Sequence, residues 1–280
     1  MRYERAESVE AACAALARGG RALAGGTDLV LMRSGGSAGD EAIIDLKVLP
    51  ELTGIKRRPE GMLIGSLATM GALSRSAGGG EFDCIRDSAY LIGAPQTRVR
   101  ATIGGNICRS SPSGDTLPSL LAVDAELTLV SVRGERRVRV AEFFTGPGTN
   151  VMADDELLTS IFIATAGGSS AYGRVTYRTA LDLAIVGVAV RLSIQDGVCV
   201  DARIALGGVA PTPILVSGAA EVLRGDLSDQ SGPEAAGALA ADACSPISDV
   251  RGSAEYRRHA VGVLTTRMAL LARDRAGGSR

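Results

Sequence analysis

Two glycine-centred turns contain the residues of this 280-residue chain that are best suited to chemistry. They are Ala24-Gly25-Gly26-Thr27-Asp28 and, far along the chain, Thr102-Ile103-Gly104-Gly105-Asn106. Glycine accepts positive φ values and has no Cβ, so consecutive backbone N–H groups around it can converge on an anion. Either turn alone is equally well explained as a tight connection. Two turns of the same design indicate a diphosphate held between them, as in a dinucleotide.

The common nucleotide motifs do not account for these turns. A Rossmann fingerprint needs spaced glycines before a long helix, whereas these glycines are adjacent and the predicted helix is short. No G-x-x-x-x-G-K-[ST] sequence occurs, which excludes a P-loop. Residues 35–39 spell G-x-S-x-G, but their flanks are loop-like and His259 is the only histidine, which argues against a serine hydrolase.

Composition excludes several other classes. The formal net charge is −1, basic residues are scattered, and there is no tryptophan, so we expect no nucleic-acid partner. The charged N-terminus does not resemble a signal peptide, and no apolar run has transmembrane length. The five cysteines include no C-x-x-C pair, so no metal site is expected and a reducing cytoplasm is favoured.

Local patterns predict the elements that position the two turns. Residues 8–18 read as a helix with Ser8 as N-cap, and residues 21–24 as a strand running into the first turn. Residues 29–32 read as a short helix after that turn. Asp115 suits the N-cap of a helix over residues 117–123, although a carboxylate beside a cofactor can also accept a bond from a ribityl or ribose hydroxyl.

A change of pattern predicts a second domain. The glycine- and serine-rich residues 165–170 read as a linker, and Asp196-Gly197 as the turn of a hairpin. The last helix is predicted from Ser253 to Arg273, with its buried face at Tyr256, Ala260, Leu264, Met268 and Leu271 and with Arg257, Arg258 and Arg267 off that face. The fold class is therefore α+β, with domains over residues 1–168 and 172–275.

Together, these segments resemble the flavin-binding medium subunit of the molybdenum hydroxylases, the carbon monoxide dehydrogenase and xanthine dehydrogenase group. The similarity covers essentially the whole chain, and the order of its blocks makes it specific. The blocks are Leu23-Ala24-Gly25-Gly26-Thr27-Asp28-Leu29, Ile44-Asp45-Leu46, Glu51-Leu52-Thr53-Gly54-Ile55, Ile92-Gly93-Ala94-Pro95-Gln96-Thr97-Arg98, Thr102-Ile103-Gly104-Gly105-Asn106, Ser111-Pro112, Asp115-Thr116-Leu117-Pro118, Phe143-Phe144-Thr145-Gly146-Pro147-Gly148, Gly207-Gly208-Val209-Ala210-Pro211-Thr212-Pro213 and Ser253-Ala254-Glu255-Tyr256-Arg257-Arg258.

The resemblance implies a fold and a set of cofactor contacts. It implies a two-part FAD-binding domain of the vanillyl-alcohol oxidase (PCMH) type, followed by a smaller α/β C-terminal domain. FAD would be bound noncovalently, since no histidine lies near either turn. The cofactor-binding residues it implies are Leu23, Ala24, Gly25, Gly26, Thr27, Asp28, Leu29, Thr102, Ile103, Gly104, Gly105, Asn106, Asp115 and Arg174. Lysine is common in relatives where Arg174 stands, which is a departure at this contact.

The resemblance also implies a role as an oxidoreductase subunit. Substrate would be oxidised at a molybdenum cofactor on a large partner, and electrons would pass through a small [2Fe–2S] partner to this FAD and on to an external acceptor. A heterotrimer or a dimer of heterotrimers is expected, and no catalytic side chain is assigned to this chain. The alternatives are a stand-alone FAD-dependent oxidoreductase of the same fold and a redox-inactive flavin-binding module.

Overall fold

Three main β-sheets follow one another along the chain, each covered by helices, and a two-stranded ribbon accompanies the second. The computed structural model describes residues 2–34, 41–76, 79–225 and 231–277. The mixture of helix and strand confirms the predicted α+β class. The G-x-S-x-G string at residues 35–39 lies outside the described residues. None of the described helices is both long and apolar enough to cross a membrane.

The first sheet is parallel and leads directly into the first glycine turn. Its strand order is β1-β3-β2. The Ser8 hydroxyl accepts a hydrogen bond from the Ala11 N–H at 3.1 Å, which confirms Ser8 as the N-cap of the first helix. The turn begins where β2 ends and leads into α2. The elements are β1 Tyr3–Arg5, α1 Val9–Ala17, β2 Arg21–Leu23, α2 Leu29–Ser34 and β3 Ile43–Asp45.

The second sheet is antiparallel, with strand order β4-β5-β10-β6-β7, and its helices carry the second glycine turn and Asp115. Short 3₁₀ helices span Pro50–Leu52 and Gly80–Phe82. The strands are β4 Ile55–Arg58, β5 Gly61–Gly65, β6 Glu126–Ser131, β7 Gly134–Arg139 and β10 Leu157–Ala164, with β8 Phe144–Gly146 and β9 Thr149–Asn150 forming the separate ribbon. The helices are α3 Met70–Ser76, α4 Asp83–Leu91, α5 Pro95–Arg98, α6 Ile103–Arg109, α7 Thr116–Ala122 and α8 Val140–Phe143.

The third sheet forms the C-terminal part of the chain, with strand order β11-β12-β13-β14. Asp196 and Gly197 have φ values of 50° and 81° between β12 and β13, so the predicted hairpin is confirmed with the turn type that Asp-Gly favours. The elements are β11 Ser169–Val175, β12 Val186–Gln195, β13 Val198–Gly207, β14 Ile214–Leu215, α9 Ala219–Leu223, α10 Ser231–Ala243 and α11 Ala254–Gly277.

Both faces of the third sheet are buried. One face packs on α9 and α11, where Val190 and Leu264 belong to one hydrophobic cluster, and α10 packs on those two helices. The other face packs on the preceding part of the chain, because Tyr172, Ala189 and Ala205 belong to the cluster built around the second sheet and its helices. The C-terminal sheet thus completes a hydrophobic core that the earlier residues begin.

The predicted linker is shorter than expected. Ser169 and Ser170 are the first residues of β11 and are buried. The Ser169 hydroxyl donates to the Ala272 carbonyl at 2.6 Å, and the Ser170 hydroxyl donates to the Glu81 carbonyl at 2.8 Å. The prediction failed here because small hydroxyl side chains, typical of linkers, also suit a closely packed junction where they can bond to backbone.

The buried face of α11 also differs from the prediction. Ala260 and Leu264 are buried as expected, but Tyr256 and Leu271 are exposed and Arg257 is buried. The Arg257 guanidinium donates to the carbonyls of Ile185 and Gly208 at 2.8 and 2.9 Å and to the Asp249 carboxylate at 2.7 Å. Periodicity alone misplaced Arg257 because it scores arginine as polar, whereas acceptors supplied by the loops make its burial favourable.

Candidate functional site

The two glycine turns lie against each other. A Cβ added to Gly25 would stand 1.9 Å from the carbonyl oxygen of Arg100 and 3.1 Å from the Cα of Ala101, the residues just before the second turn. Only glycine permits so close an approach between two backbones. The structure therefore brings together the two segments that the sequence marked as one site.

The first turn presents a run of unused donors. In the described part of the chain, the backbone N–H groups of residues 25–28 donate to no acceptor. The carbonyls of Gly26 and Asp28 instead accept bonds from Val30 and Met32, at 3.1 and 3.0 Å. Those carbonyls point into α2, so the four N–H groups are left for another partner. Gly26 has φ of +79°, which lets the turn close in this form.

The second turn has a different design. The four N–H groups that follow Thr102 all donate within the chain, so the expectation that both turns offer backbone donors is wrong for this one. The turn is wedged against the 66–68 segment, and Thr102 caps α6. The bonds are Ile103 to the Ala68 carbonyl at 3.0 Å, Gly104 to the Ser66 carbonyl at 2.8 Å, Gly105 to the Thr102 hydroxyl at 3.1 Å and Asn106 to the Thr102 carbonyl at 3.1 Å.

Polar side chains connect the second turn with the residues that face the C-terminal sheet. The Asn106 side-chain carbonyl accepts a bond from the Thr116 hydroxyl at 2.6 Å. Thr116 opens α7 and directly follows Asp115. Leu23 ends β2 and Leu29 begins α2, so these two predicted site residues frame the first turn, with Ala24 between strand and glycines.

Asp115 is part of a buried ion pair that crosses to the C-terminal sheet. Its carboxylate accepts the Tyr172 hydroxyl at 2.8 Å and Arg174 Nη1 at 2.7 Å. The Arg174 and Asp115 side chains are 5% and 8% exposed. Asp115 makes no capping bond to α7, so its expected role as an N-cap is wrong. The structure brings Asp115 and Arg174 together as partners of each other.

The charge state of Asp115 follows from this environment. Burial raises its pKa to about 6, while the Arg174 guanidinium and the Tyr172 hydroxyl oppose that rise by stabilising the carboxylate. A pKa of about 6 leaves the group mainly ionised at neutral pH, so the pair is a carboxylate and a guanidinium. Sequence reasoning missed Tyr172, although its two-residue spacing from Arg174 puts both on one face of a strand.

Arg109 is a second residue that sequence reasoning missed. It ends α6, and its Nε lies 3.6 Å from the Asp28 carboxylate in the first turn. Its Nη1 would lie 3.4 Å from a Cβ on Gly148, so the side chain also contacts the turn between β8 and β9. Arg109 therefore lies between the first turn and a third loop.

Cys108, just after the second turn, has no features of a reactive thiol. Its sulfur contacts the Met152 sulfur at 3.6 Å, and burial raises its pKa to about 12. A thiolate is the reactive form of cysteine, and this environment disfavours it. Cys108 is therefore a packing residue beside the second turn.

The donor set fits the FAD that the sequence resemblance implies. Neutral amide N–H groups at a glycine turn suit a diphosphate, and the first turn holds four of them without an internal acceptor. The Thr102 hydroxyl hydrogen and the Asn106 amide nitrogen add polar groups beside it. The described ranges contain no group of three His, Cys, Asp or Glu side chains placed to hold a metal ion.

Comparison with protein families gives two matches that together span most of the chain. Residues 1–166 match the FAD binding domain in molybdopterin dehydrogenase. Residues 171–272 match the CO dehydrogenase flavoprotein C-terminal domain.

Individual relatives resemble the chain over nearly its full length. The carbon monoxide dehydrogenase medium chain of Afipia carboxidovorans is 34% identical, over 98% of this chain and 97% of the relative. The xanthine dehydrogenase FAD-binding subunit of Escherichia coli O157:H7 is 32% identical, over 99% and 97% respectively. A solved structure of carbon monoxide dehydrogenase from Hydrogenophaga pseudoflava superposes with a TM-score of 0.91 at 30% identity, covering 99% of this chain and 98% of that one.

Proposed function

This chain belongs to the family of FAD-binding medium subunits of molybdenum hydroxylases, and we propose that it passes electrons from a [2Fe–2S] partner to an external acceptor. The observation that carries the proposal is the first glycine turn, whose four backbone N–H groups lack an acceptor in the described chain. The relatives are subunits of dehydrogenases, so the chain is an oxidoreductase subunit. Bound FAD would supply the means to accept single electrons and release one or two.

The residues of the site would bind and orient that cofactor. The N–H groups of residues 25–28 would bind the diphosphate, and Thr102 and Asn106 would add side-chain contacts from the second turn. The Asp115–Arg174 pair would bound the site on the side of the C-terminal sheet, with Tyr172 fixing the carboxylate. No side chain of this chain is assigned proton transfer, because positioning and electrostatics are the protein's part in electron relay.

The partners in this proposal are a small [2Fe–2S] subunit and a large molybdopterin-binding subunit. Similarity to medium chains of carbon monoxide dehydrogenases supports a heterotrimer or a dimer of heterotrimers. The free state of all five cysteines is compatible with work in the reducing cytoplasm. We also propose that the chain divides into an FAD-binding domain and a C-terminal domain near residues 166–172.

The test of cofactor binding uses two glycines with similar positive φ values. Gly26 and Gly19 have φ values of +79° and +83°, so alanine is strained at either position by about 1–2 kcal/mol. Only Gly26 lies in the turn. We expect the purified chain to take up FAD with flavin bands that dithionite bleaches, and Gly26→Ala to weaken uptake far more than Gly19→Ala.

The outcomes of these experiments decide between FAD binding and its absence, and between a relay subunit and a stand-alone enzyme. A folded wild-type chain that takes up no FAD would refute the proposal, as would equal losses from the two alanine variants. Purification of the native complex separates a relay subunit from a stand-alone enzyme. Recovery with an iron–sulfur and a molybdenum chain supports the relay, whereas an isolated chain that oxidises a substrate at turnover rates supports the stand-alone enzyme.

A further inference from the structure

We propose that Arg109 is an additional cofactor-binding residue, one that supplies the positive charge which the first glycine turn lacks. The inference rests on the proposed function, because it concerns the diphosphate of FAD at that turn. It adds a charged side chain to the first turn, whose own donors are backbone amides.

The turn itself poses an electrostatic problem. Asp28 provides one of the four free N–H groups, but it also brings a carboxylate into the turn, and its side chain is 59% exposed. A diphosphate is an anion, so this carboxylate repels the ligand that the N–H groups attract. In a site built from these residues alone, the Asp28 carboxylate would weaken the binding of the diphosphate.

Arg109 is placed to offset that repulsion. Its Nε lies 3.6 Å from Asp28 Oδ1, and among the described residues Asp28 is its one ion-pair partner. The remaining guanidinium N–H groups can donate hydrogen bonds to a phosphate oxygen, because a guanidinium carries five N–H donors in a planar fork. One side chain can thus neutralise the carboxylate and attract the anion beside it.

The surrounding loops hold Arg109 in this position. Ser110 follows it as the C-cap of α6, and its φ of 50° directs the chain away from the helix. The Gly148 N–H donates to the Ser110 carbonyl at 2.9 Å, and Gly148 lies against Arg109 Nη1. Contact on one side with the turn between β8 and β9 leaves the guanidinium facing the first turn.

The competing explanation is an ordinary surface ion pair between side chains that are 42% and 59% exposed. Such a pair would affect folding slightly and ligand binding not at all. The two explanations differ in their dependence on the ligand. A charge that serves the diphosphate matters for FAD and not for riboflavin, which has no phosphate.

The experiment measures dissociation constants of the full chain for FAD and riboflavin, by flavin fluorescence at low and high ionic strength. The variants are Arg109→Gln, Asp28→Asn and the double variant. Arg137→Gln is the matched control, because Arg137 is also exposed and paired with a carboxylate, that of Glu126 at 3.2 Å, but lies on β7. Circular dichroism and thermal unfolding confirm that each variant is folded.

We expect Arg109→Gln to bind FAD roughly two- to fivefold more weakly at low ionic strength, with the loss reduced at high ionic strength. Asp28→Asn should bind FAD at least as tightly as wild type, and the double variant should return close to it. Riboflavin binding should be unchanged throughout.

An Arg109→Gln variant that binds FAD like the Arg137→Gln control would overturn the inference and leave the proposed function intact. An equal loss for riboflavin would overturn it too, because the effect would then not depend on phosphate. A folded wild type that binds no FAD would instead refute the proposed function, and the inference with it.

Discussion

Substituting Gly25 by alanine tests whether contact between the two glycine turns is needed for the site. The added Cβ would stand 1.9 Å from the Arg100 carbonyl oxygen, about 1.5 Å short of an ordinary van der Waals contact. The position of a Cβ is fixed by its own backbone and the carbonyl oxygen belongs to the backbone, so no side-chain rotation can relieve the clash. The two turns must separate, or one of them must change its conformation.

The expected cost follows from this geometry. Overpacking of a well-packed region costs typically 1–3 kcal/mol, and a backbone clash belongs to the upper part of that range. For a chain of this size that corresponds to a fall in Tm of roughly 3–10 °C. Separation of the turns also moves the four N–H groups of the first turn, so FAD affinity should fall together with stability.

The assay combines thermal unfolding with FAD titration, and Gly54→Ala is the control. A Cβ at Gly54 would have Lys56 Cε as its nearest neighbour, at 3.5 Å, which is an ordinary contact. We expect that variant to stay within about 0.5 kcal/mol of wild type. If Gly25→Ala matched Gly54→Ala in both Tm and FAD affinity, contact between the turns would not govern the site.

Three further predictions concern the charged groups. Arg257→Gln should lower the free energy of unfolding by about 3 kcal/mol in urea titrations, because it removes a buried guanidinium bonded to three acceptors, whereas the exposed Arg258→Gln should change it by less than about 0.5 kcal/mol. Arg174→Met should cost about 3 kcal/mol at neutral pH, since it leaves the Asp115 carboxylate buried without its cation. The loss of that cation raises the pKa of Asp115 further, so the folded variant takes up a proton as the pH falls. The difference in free energy of unfolding between wild type and variant should therefore shrink on acidification, and a difference that does not change with pH would contradict this account. Hydrogen bonds from Arg136 lower the pKa of Glu156 below its ordinary value of 4.5. The carboxylate therefore stabilises the fold above pH 4.5, and this stabilisation is lost as the pH falls through the lowered pKa. Stability curves of wild type and Glu156→Gln should therefore converge in acid.

Features that depend on local chemistry were predictable from the sequence. The Asp196-Gly197 hairpin and the Ser8 cap follow from the few conformations that these residues favour. The pairing of the two glycine turns was also predictable, because two segments with the same sequence pattern suggest one ligand. These features depend on residues near each other in sequence or on a repeated motif.

Features that depend on distant partners were not predictable. The burial of Arg257 depends on the carbonyls of Ile185 and Gly208, which only the fold brings within reach. Asp115 reads as a helix cap until β11 places Arg174 against it. Likewise, Ile103 and Gly104 of the second turn donate their N–H groups to the carbonyls of Ala68 and Ser66, a contact that no local pattern indicates.

The shared core between the second and third sheets limits how this chain can be recombined with its relatives. A chimera joined in the glycine- and serine-rich segment would separate Asp115 from Arg174 and Tyr172 from the hydrophobic cluster it completes. A chimera of this kind would keep these contacts only if both residues of each contact came from the same parent protein. We therefore expect residues that meet across this junction, such as Asp115 and Arg174, to differ together among relatives.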